Sequence, residues 1–440
     1  MSLGKDEERT SSGADESSAP GRPKVGSARF ATDRFDEPRR GIRSLDGIRV
    51  LALEQMQALP YATQLLARLG ADVVKIEPLS GDLGRASMPS MKDPYGRPVG
   101  ATFLRNNLNK RSLCLDLKSR TGRELVLKLA PRFDVFAENF TPGVVDRLGV
   151  SYKDIYEVHP SVIYASVSGF GNSEASPYRT WPAFAPVVEA MSGIYELKRR
   201  QDQPPEVSPV GALGDIGAAL FCSLGIMAAL RRRDLTGQGD YVDIAMLDAV
   251  VAMTDIVTNF WSMGVENGDS GTVINHGFLA SDGWFVMQVG REHHFERLVE
   301  VIGQPEFAAD PRFAERSGWI EHLDGVLRPA VERWASDKTR LEACEVLGEA
   351  GIAAGPCLRD DEVADDPHIG ARHMLVAIER TDGVAQPVLI PGNPIKFAGI
   401  ADDVDSRMPW AGEHSEEILR DELGLDRRAV DALRNDGIIS

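Results

Sequence analysis

Apolar residues along this chain fall into short runs of strand length, separated by amphipathic stretches, and the order of the two predicts its layers. Ile48 to Leu53 is an apolar run. Pro60 opens a helical pattern that continues through Leu69 and stops at Gly70, and Asp72 to Ile76 is a second strand-length run. Two strands bracketing a helix make a compact β-α-β unit with parallel strands, so the fold class is α/β. The alternation continues. Ser112 to Leu117 reads as strand and Thr121 to Leu129 as helix. Asp134 to Ala137 is a strand entering a Glu138-Asn139-Phe140 turn, and Val162 to Val167 is a strand ending at Gly169-Phe170-Gly171. Tyr241 to Ala245 alternates as a further strand, and a helix from about Met246 to Phe260 leads away from it.

Beyond that point the pattern changes. A Gly-, Asn- and Asp-rich loop from about Asn267 to Gly277 precedes Gly283 to Val289, a strand of a different unit, and helical signals then dominate to about Leu347. Glu416 to Arg434 reads as a charged helix broken at Gly424, suited to the outside of the first unit. Residues 1–44 are rich in Ser, Gly, Pro and charge, which predicts a disordered tail. The expected plan is a large α/β domain over 45–245, a linker helix and loop over 246–275, a small domain over 276–375, and a segment over 376–440 that returns to the large domain.

Composition narrows the class. With 43% hydrophobic and 26% charged residues in 440, the chain is globular and long enough for more than one domain. A net charge of −17 argues against nucleic acid as a partner. No uninterrupted apolar run reaches the roughly 20 residues of a membrane span, so no membrane partner is expected. Lys5, Asp6, Glu7, Glu8 and Arg9 stand where a signal peptide needs its apolar core. The four cysteines, Cys114, Cys222, Cys344 and Cys357, have neither metal-ligand nor CxxC spacing. That pattern suits reduced thiols, a cytoplasmic location and no bound metal.

The segment Val210-Gly211-Ala212-Leu213-Gly214-Asp215 carries the candidate chemistry. The apolar residues Ile216, Leu220, Phe221, Leu224, Ile226, Met227 and Leu230 follow it, so a helix begins near Asp215 and ends in the basic turn Arg231-Arg232-Arg233. An Asp there is most simply an N-cap, held ionised by the positive end of the helix dipole. Neither GxGxxG nor a Walker A motif occurs, and Gln55-Met56-Gln57-Ala58-Leu59-Pro60 follows the first strand instead. Phosphate recognition then falls to side chains and helix ends. The best basic cluster is Asn106 to Ser112 with Lys110 and Arg111, with Arg85 and Arg147 as outliers, although on composition alone a solvated strand edge is the better reading of that cluster. His293-His294 reads as a surface pair, since neighbours on a helix point to different faces. No Ser or Cys sits in a nucleophile elbow, which leaves covalent chemistry to a carboxylate.

Several blocks occur in a fixed order: Leu45-Asp46-Gly47-Ile48-Arg49-Val50; Leu69 to Pro78; Asn109-Lys110-Arg111-Ser112; Leu115-Asp116-Leu117-Lys118; Glu138-Asn139-Phe140 with Pro142-Gly143; and Tyr164 to Gly171. The Asp215 segment, Thr236-Gly237-Gln238-Gly239, Asp366-Pro367-His368 and Pro394-Ile395-Lys396-Phe397 complete them. In this ordered set the chain resembles the class III CoA-transferases, a family that also contains α-methylacyl-CoA racemases, from about Leu45 to Ile439. The resemblance implies a Rossmann-like large domain with a smaller α+β domain, in an interlocked homodimer. It implies coenzyme A, as an acyl-CoA co-substrate, and a carboxylic acid as the second substrate.

By the same matching, Asp215 is the nucleophile, forming an anhydride and then an aspartyl-CoA thioester, and Gln57 positions substrate and intermediate. Ala58, Leu115, Asp116, Leu117, Lys118, Asn139, Phe140, Thr141 and Arg147 contact CoA. Three departures stand out. Pro78 occupies the place of an arginine that contacts the base, Glu189 occupies the place of a frequent glutamine, and Gly268 and Gly271 do not match the tetraglycine-like loop of oxalate-using members. The competing readings are an acyl-CoA racemase, whose histidine falls near Phe184 or Ala185 where none occurs, and a non-catalytic acyl-CoA-binding subunit.

Overall fold

The computed structural model describes residues 42–197, 199, 202–207, 211–264, 272–398 and 405–440. Residues 1–41 of the expected tail, Val210, and the Gly268 and Gly271 loop therefore lie outside the described residues. The described strands, in chain order, begin with β1 (Arg49–Leu53), β2 (Asp72–Glu77), β3 (Ser90–Lys92), β4 (Pro98–Gly100), β5 (Lys110–Cys114) and β6 (Val135–Glu138). There follow β7 (Ile163–Ser168), β8 (Asp240–Ala245), β9 (Ile274–Ala280), β10 (Gly283–Val289), β11 (Ala353–Pro356), β12 (Leu375–Ile378) and β13 (Val388–Pro391).

The main sheet has the order β5-β2-β1-β6-β7-β8, and every neighbouring pair is parallel. The chain first winds outward from β1 to β2 and β5, then returns to the other side of β1 for β6, β7 and β8. The strand order thus reverses between β1 and β6, which opens a crevice at the carboxyl ends of those two strands. Helices cover both faces, which is why Val50 to Leu53 reads as a continuous apolar run rather than an alternation. Val50 and Ala52 pack on the side of the helices Ala58–Arg68 and Leu213–Thr236. Leu51 and Leu53 pack on the side of the helices Arg120–Leu129 and Ser415–Leu423.

The helix Leu213–Thr236 has two features that the apolar pattern did not show. It buries its small side, Gly214, Gly217, Ala218, Ala219, Cys222 and Ser223, while Leu220, Phe221, Leu224 and Met227 point outward. The most apolar window of this helix has a mean hydropathy of 1.8, so by length and composition it is apolar enough to cross a membrane, with half of that window buried inside the protein. Counting uninterrupted runs missed it because Gly, Ala and Ser are interspersed with its large residues.

A second, antiparallel sheet, β11-β10-β9, packs its own core around Phe278, Phe285, Met287, Phe295 and Trp319. The chain around Ile274 to Ala280 was expected to be loop to Gly277. It is β9, paired along its whole length with β10 across a two-residue turn at Ser281 and Asp282. Hairpin pairing outweighs the poor strand propensity of Asn275 and Gly277. The expected helix from Met246 to Phe260 ends at Ala252, and a π-helical segment, Ile256–Ser262, follows. The chain's last residues return to the main sheet. Ile439 bridges Leu115, the Asp116 amide donates to the Ile438 carbonyl at 2.9 Å, and Gly424 ends the helix Ser415–Leu423 at a φ of 67°.

Candidate active site

At the switch point, β1 runs into Glu54-Gln55-Met56-Gln57 and the helix Ala58–Arg68, while β6 runs into Asn139-Phe140-Thr141. Asn139 ties the two strand ends together, accepting the Gln55 amide at 3.0 Å and donating its own Nδ2 to the Gln55 carbonyl at 2.9 Å. Met56 is held in the left-handed region at φ 63°, a conformation disfavoured for a residue with a side chain. Asp82 Oδ1 accepts the Met56 amide at 3.1 Å and so fixes that turn. Asp82 is itself anchored by Lys75, 2.7 Å from its other oxygen, and Lys75 also donates to the Glu54 carbonyl at 3.0 Å.

These contacts turn Gln57 toward a cleft of about 330 Å³ at the strand ends. Its walls are Gln55 to Ala58, Leu83, Asn139 to Pro142, Val144, Val167 to Gly169, Trp181 to Phe184, Asp215 and Met246. The cleft therefore brings together Gln57, Ala58, Asn139, Phe140, Thr141 and Asp215 of the residues singled out in the sequence. Leu115, Asp116, Leu117 and Lys118 follow β5 at the outer edge of the sheet, on the same carboxyl side. Arg147 is exposed on the short helix Val144–Leu148 beside the cleft wall. His293 and His294 stand at the start of a helix in the second core's layer, outside the cleft, with ring centroids 4.3 Å apart.

Asp215 is the third residue of its helix, whose N-cap is Ala212, so it is not the cap that the sequence suggested. Gly211, at φ 61°, turns the chain into the helix. No hydrogen bond to the Asp215 carboxylate forms among the described residues. Burial, and secondarily the Glu189 charge, push its pKa up to about 6. The dipole does not hold this carboxyl in the ordinary range, because desolvation outweighs it.

Two polar atoms in the cleft are buried without a hydrogen-bond partner: Gln57 Nε2 and Ser168 Oγ. Buried donors are almost always paired, so two unpaired ones beside an unpaired carboxylate are a feature of ligand-binding sites. Ser168 escaped the sequence reading because a Ser at the end of a buried strand looks like any other. Leu83, Trp181, Phe184 and Met246 were missed for the same reason, since only the fold brings them to the cleft. Trp181 is half exposed and packs on Tyr178, 4.8 Å between centroids, giving the mouth an aromatic wall.

The basic cluster of Lys110, Arg111 and Arg85 does not form a phosphate site. Lys110 is fully buried against Glu54 at 2.6 Å, Arg111 pairs with Asp72, and Arg85 makes a two-pronged contact with Glu77 at 2.7 Å. Sequence alone counts such charges without seeing that each has been neutralised.

The comparisons with known proteins agree with one another. A family model described as CoA-transferase family III matches residues 45–415. A formyl-CoA:oxalate CoA-transferase of Streptomyces coelicolor is 33% identical, over 90% of this chain and 99% of its own length. A succinyl-CoA:mesaconate CoA-transferase of Haloarcula hispanica is 34% identical, over 87% and 97%. The crystal structure of a CAIB/BAIF family protein from Brucella suis superposes with a TM-score of 0.76 at 30% identity, covering 87% of this chain and all of that one.

Proposed function

The chain belongs to CoA-transferase family III, and we propose that it moves CoA from an acyl-CoA donor to a carboxylic acid with Asp215 as the nucleophile. The observation that carries this reading is the Asp215 carboxylate itself, desolvated and lining the same cleft as the unpartnered Gln57 Nε2 and Ser168 Oγ. A carboxyl pushed up to about 6 is still mostly ionised at neutral pH, yet more basic than an ordinary aspartate, which strengthens its attack on a thioester carbonyl.

The exchange closes without any net proton. Asp215 attacks the donor carbonyl, the C–S bond breaks, and CoA leaves as thiolate, giving an aspartyl-acyl anhydride. The thiolate attacks the aspartyl carbonyl, releasing the donor acid and forming an aspartyl-CoA thioester. The acceptor carboxylate displaces CoA thiolate from that thioester to make a second anhydride. The thiolate then attacks the acceptor's carbonyl, which releases the new acyl-CoA and restores Asp215. Gln57 Nε2 and Ser168 Oγ are assigned to the oxygen that becomes negative at each attack, since donors already desolvated need no reorganisation. The acyl end occupies the cleft, and the rest of CoA runs along the strand ends toward Leu115 to Lys118.

Two alternatives are disfavoured by particular residues. A racemase needs an acid/base histidine. Phe184 and Ala185 occupy that region, and no histidine lines the cleft among the described residues. A non-catalytic binding subunit has no use for a desolvated carboxylate opposite two unpaired donors. The reading includes a homodimer. Leu220, Phe221, Leu224 and Met227 on the long helix, and Val251, Val257, Trp261 and Met263 after it, are exposed large apolar residues of the kind an interface covers. Sedimentation at micromolar concentration is expected to give a dimer, and a folded monomer would overturn that part.

The test of the nucleophile uses formyl-, acetyl- and succinyl-CoA in turn with purified protein. Hydroxylamine or borohydride trapping followed by peptide mapping is expected to mark Asp215, and Asp215→Asn is expected to lose more than about 1,000-fold in transfer while staying folded. A mark on another carboxylate, or turnover by Asp215→Asn, would sink the assignment.

A further inference from the structure

Glu189 lies on the helix Ala185–Met191, well before Asp215 in the chain, and is 2% exposed. Its Oε1 accepts the Gly214 amide at 3.0 Å, and its Oε2 accepts the Tyr195 hydroxyl. The first amides of a helix have no partner within it, and Ala212, at the N-cap, has no side chain to offer one. Glu189 therefore caps this helix from a distant part of the chain. The approach depends on Gly214: a Cβ there would meet Val188 Cγ2 at 2.7 Å, so any larger residue would push the helix Ala185–Met191 away and withdraw the carboxylate.

We propose that Glu189 is the positioning residue of the nucleophile, holding the turn before Asp215 in place and keeping a second negative charge beside it. This deepens the proposed function and rests on Asp215 being the nucleophile. The Gly214 amide is taken by Glu189, and no hydrogen bond to the Asp215 carboxylate forms among the described residues. The cleft around Asp215 is lined by residues 55–58, 83, 139–142, 144, 167–169, 181–184 and 246, and the helix Ala185–Met191 packs on the Asp215 helix. Across all of them Glu189 is the one charged group other than Asp215, and Tyr195 is the titratable group that faces it. In keeping with this, the Glu189 charge is the second cause, after burial, of the raised Asp215 pKa. The arrangement couples geometry to reactivity: one side chain both fixes the nucleophile and makes it more basic.

Glu189→Gln separates the two effects, because an amide still accepts a hydrogen bond but carries no charge. The readout is the pH profile of kcat/KM for whichever of formyl-, acetyl- or succinyl-CoA supports turnover. The acid limb, expected near pH 6 in the unaltered protein, is expected to fall by about one pH unit in Glu189→Gln. Glu189→Ala should move the limb equally and lose a further factor of about ten in kcat, since the Gly214 amide then has no acceptor. A side chain that served only folding would lower activity by a constant factor at every pH and leave the limb where it was. If the limb stays in both variants, or moves upward, the inference fails. Asp215→Asn in the same assay keeps the two ideas apart: its activity would remove the nucleophile reading, whereas a fixed limb with an inactive Asp215→Asn removes only the role of Glu189.

Discussion

Two groups of buried charges flank the turn at Gln57, and they differ in one respect. In the first, Glu54, Glu77 and Asp82 face Lys75, Lys110 and Arg85, so each carboxylate has a cation beside it. Burial pushes Lys110 down to about 8 against the pull of Glu54, whereas at Glu77 the opposing effect of burial is outweighed by Arg85 and Lys75, which help hold it at about 2. In the second, Asp215 has only another carboxylate, Glu189, for a charged neighbour, and two polar atoms of residues lining the same cleft, Gln57 Nε2 and Ser168 Oγ, are unpaired. A buried charge is therefore not a sign of function. What distinguishes the Asp215 side is imbalance: a charge without a counter-charge and donors without acceptors, which a substrate can complete. The balanced side has a different task, since Lys75 through Asp82 holds Met56 in its strained conformation and so aims Gln57.

The comparison breaks if the two groups respond alike to losing one member. The largest effect is expected for Lys75→Met, which strands Asp82 in the interior and leaves Glu54 with Lys110 alone. It should cost about 3–5 kcal/mol in denaturant unfolding, as loss of one partner of a buried pair generally does. Activity should fall with it as the Met56 turn relaxes. A loss below about 1 kcal/mol would mean that water reaches this cluster.

Asp215→Asn should act in the opposite direction. The folded-state pKa of Asp215 is raised, from 3.8 to about 6, so its contribution to stability is fully present below about 3.8 and is lost as pH rises through about 6. Asn carries no such dependence. At pH 8 the variant should unfold up to about 3 kcal/mol harder than the unaltered protein, by the equivalence of one pKa unit to about 1.4 kcal/mol, and the gain should shrink toward pH 4.5. A variant less stable at pH 8 would show Asp215 to be paired in solution. The smallest effect on folding is expected from Ser168→Ala. Its hydroxyl has no partner to lose, so stability should change by less than about 1 kcal/mol while transfer falls by about tenfold. Unchanged transfer would remove Ser168 from the site and leave Gln57 alone across from Asp215.

Much of this molecule was determined by local pattern. Strands buried on both faces read as apolar runs, glycines stop helices at Gly70, Gly237 and Gly424, and the alternation from β1 to β8 carries the α/β class, because these features depend on each residue's own chemistry and on its near neighbours. The ordered blocks carried the family and, with it, Asp215 and Gln57. What only the tertiary structure decided concerns residues far apart in the chain. Lys110 and Arg85 looked like free cations until Glu54 and Glu77 met them, and Ser168 looked ordinary until its hydroxyl was left facing a cleft. The long helix showed apolar residues without showing which side packs, until its small side turned inward and Leu220, Phe221, Leu224 and Met227 were left outside. Asp215 looked like a cap until the helix began two residues earlier, with Glu189 arriving from another segment to cap it. The physical reason is common to all four. Type and periodicity are written along the chain, whereas pairing, desolvation and exposure belong to whichever groups the fold brings together, and those quantities set the chemistry.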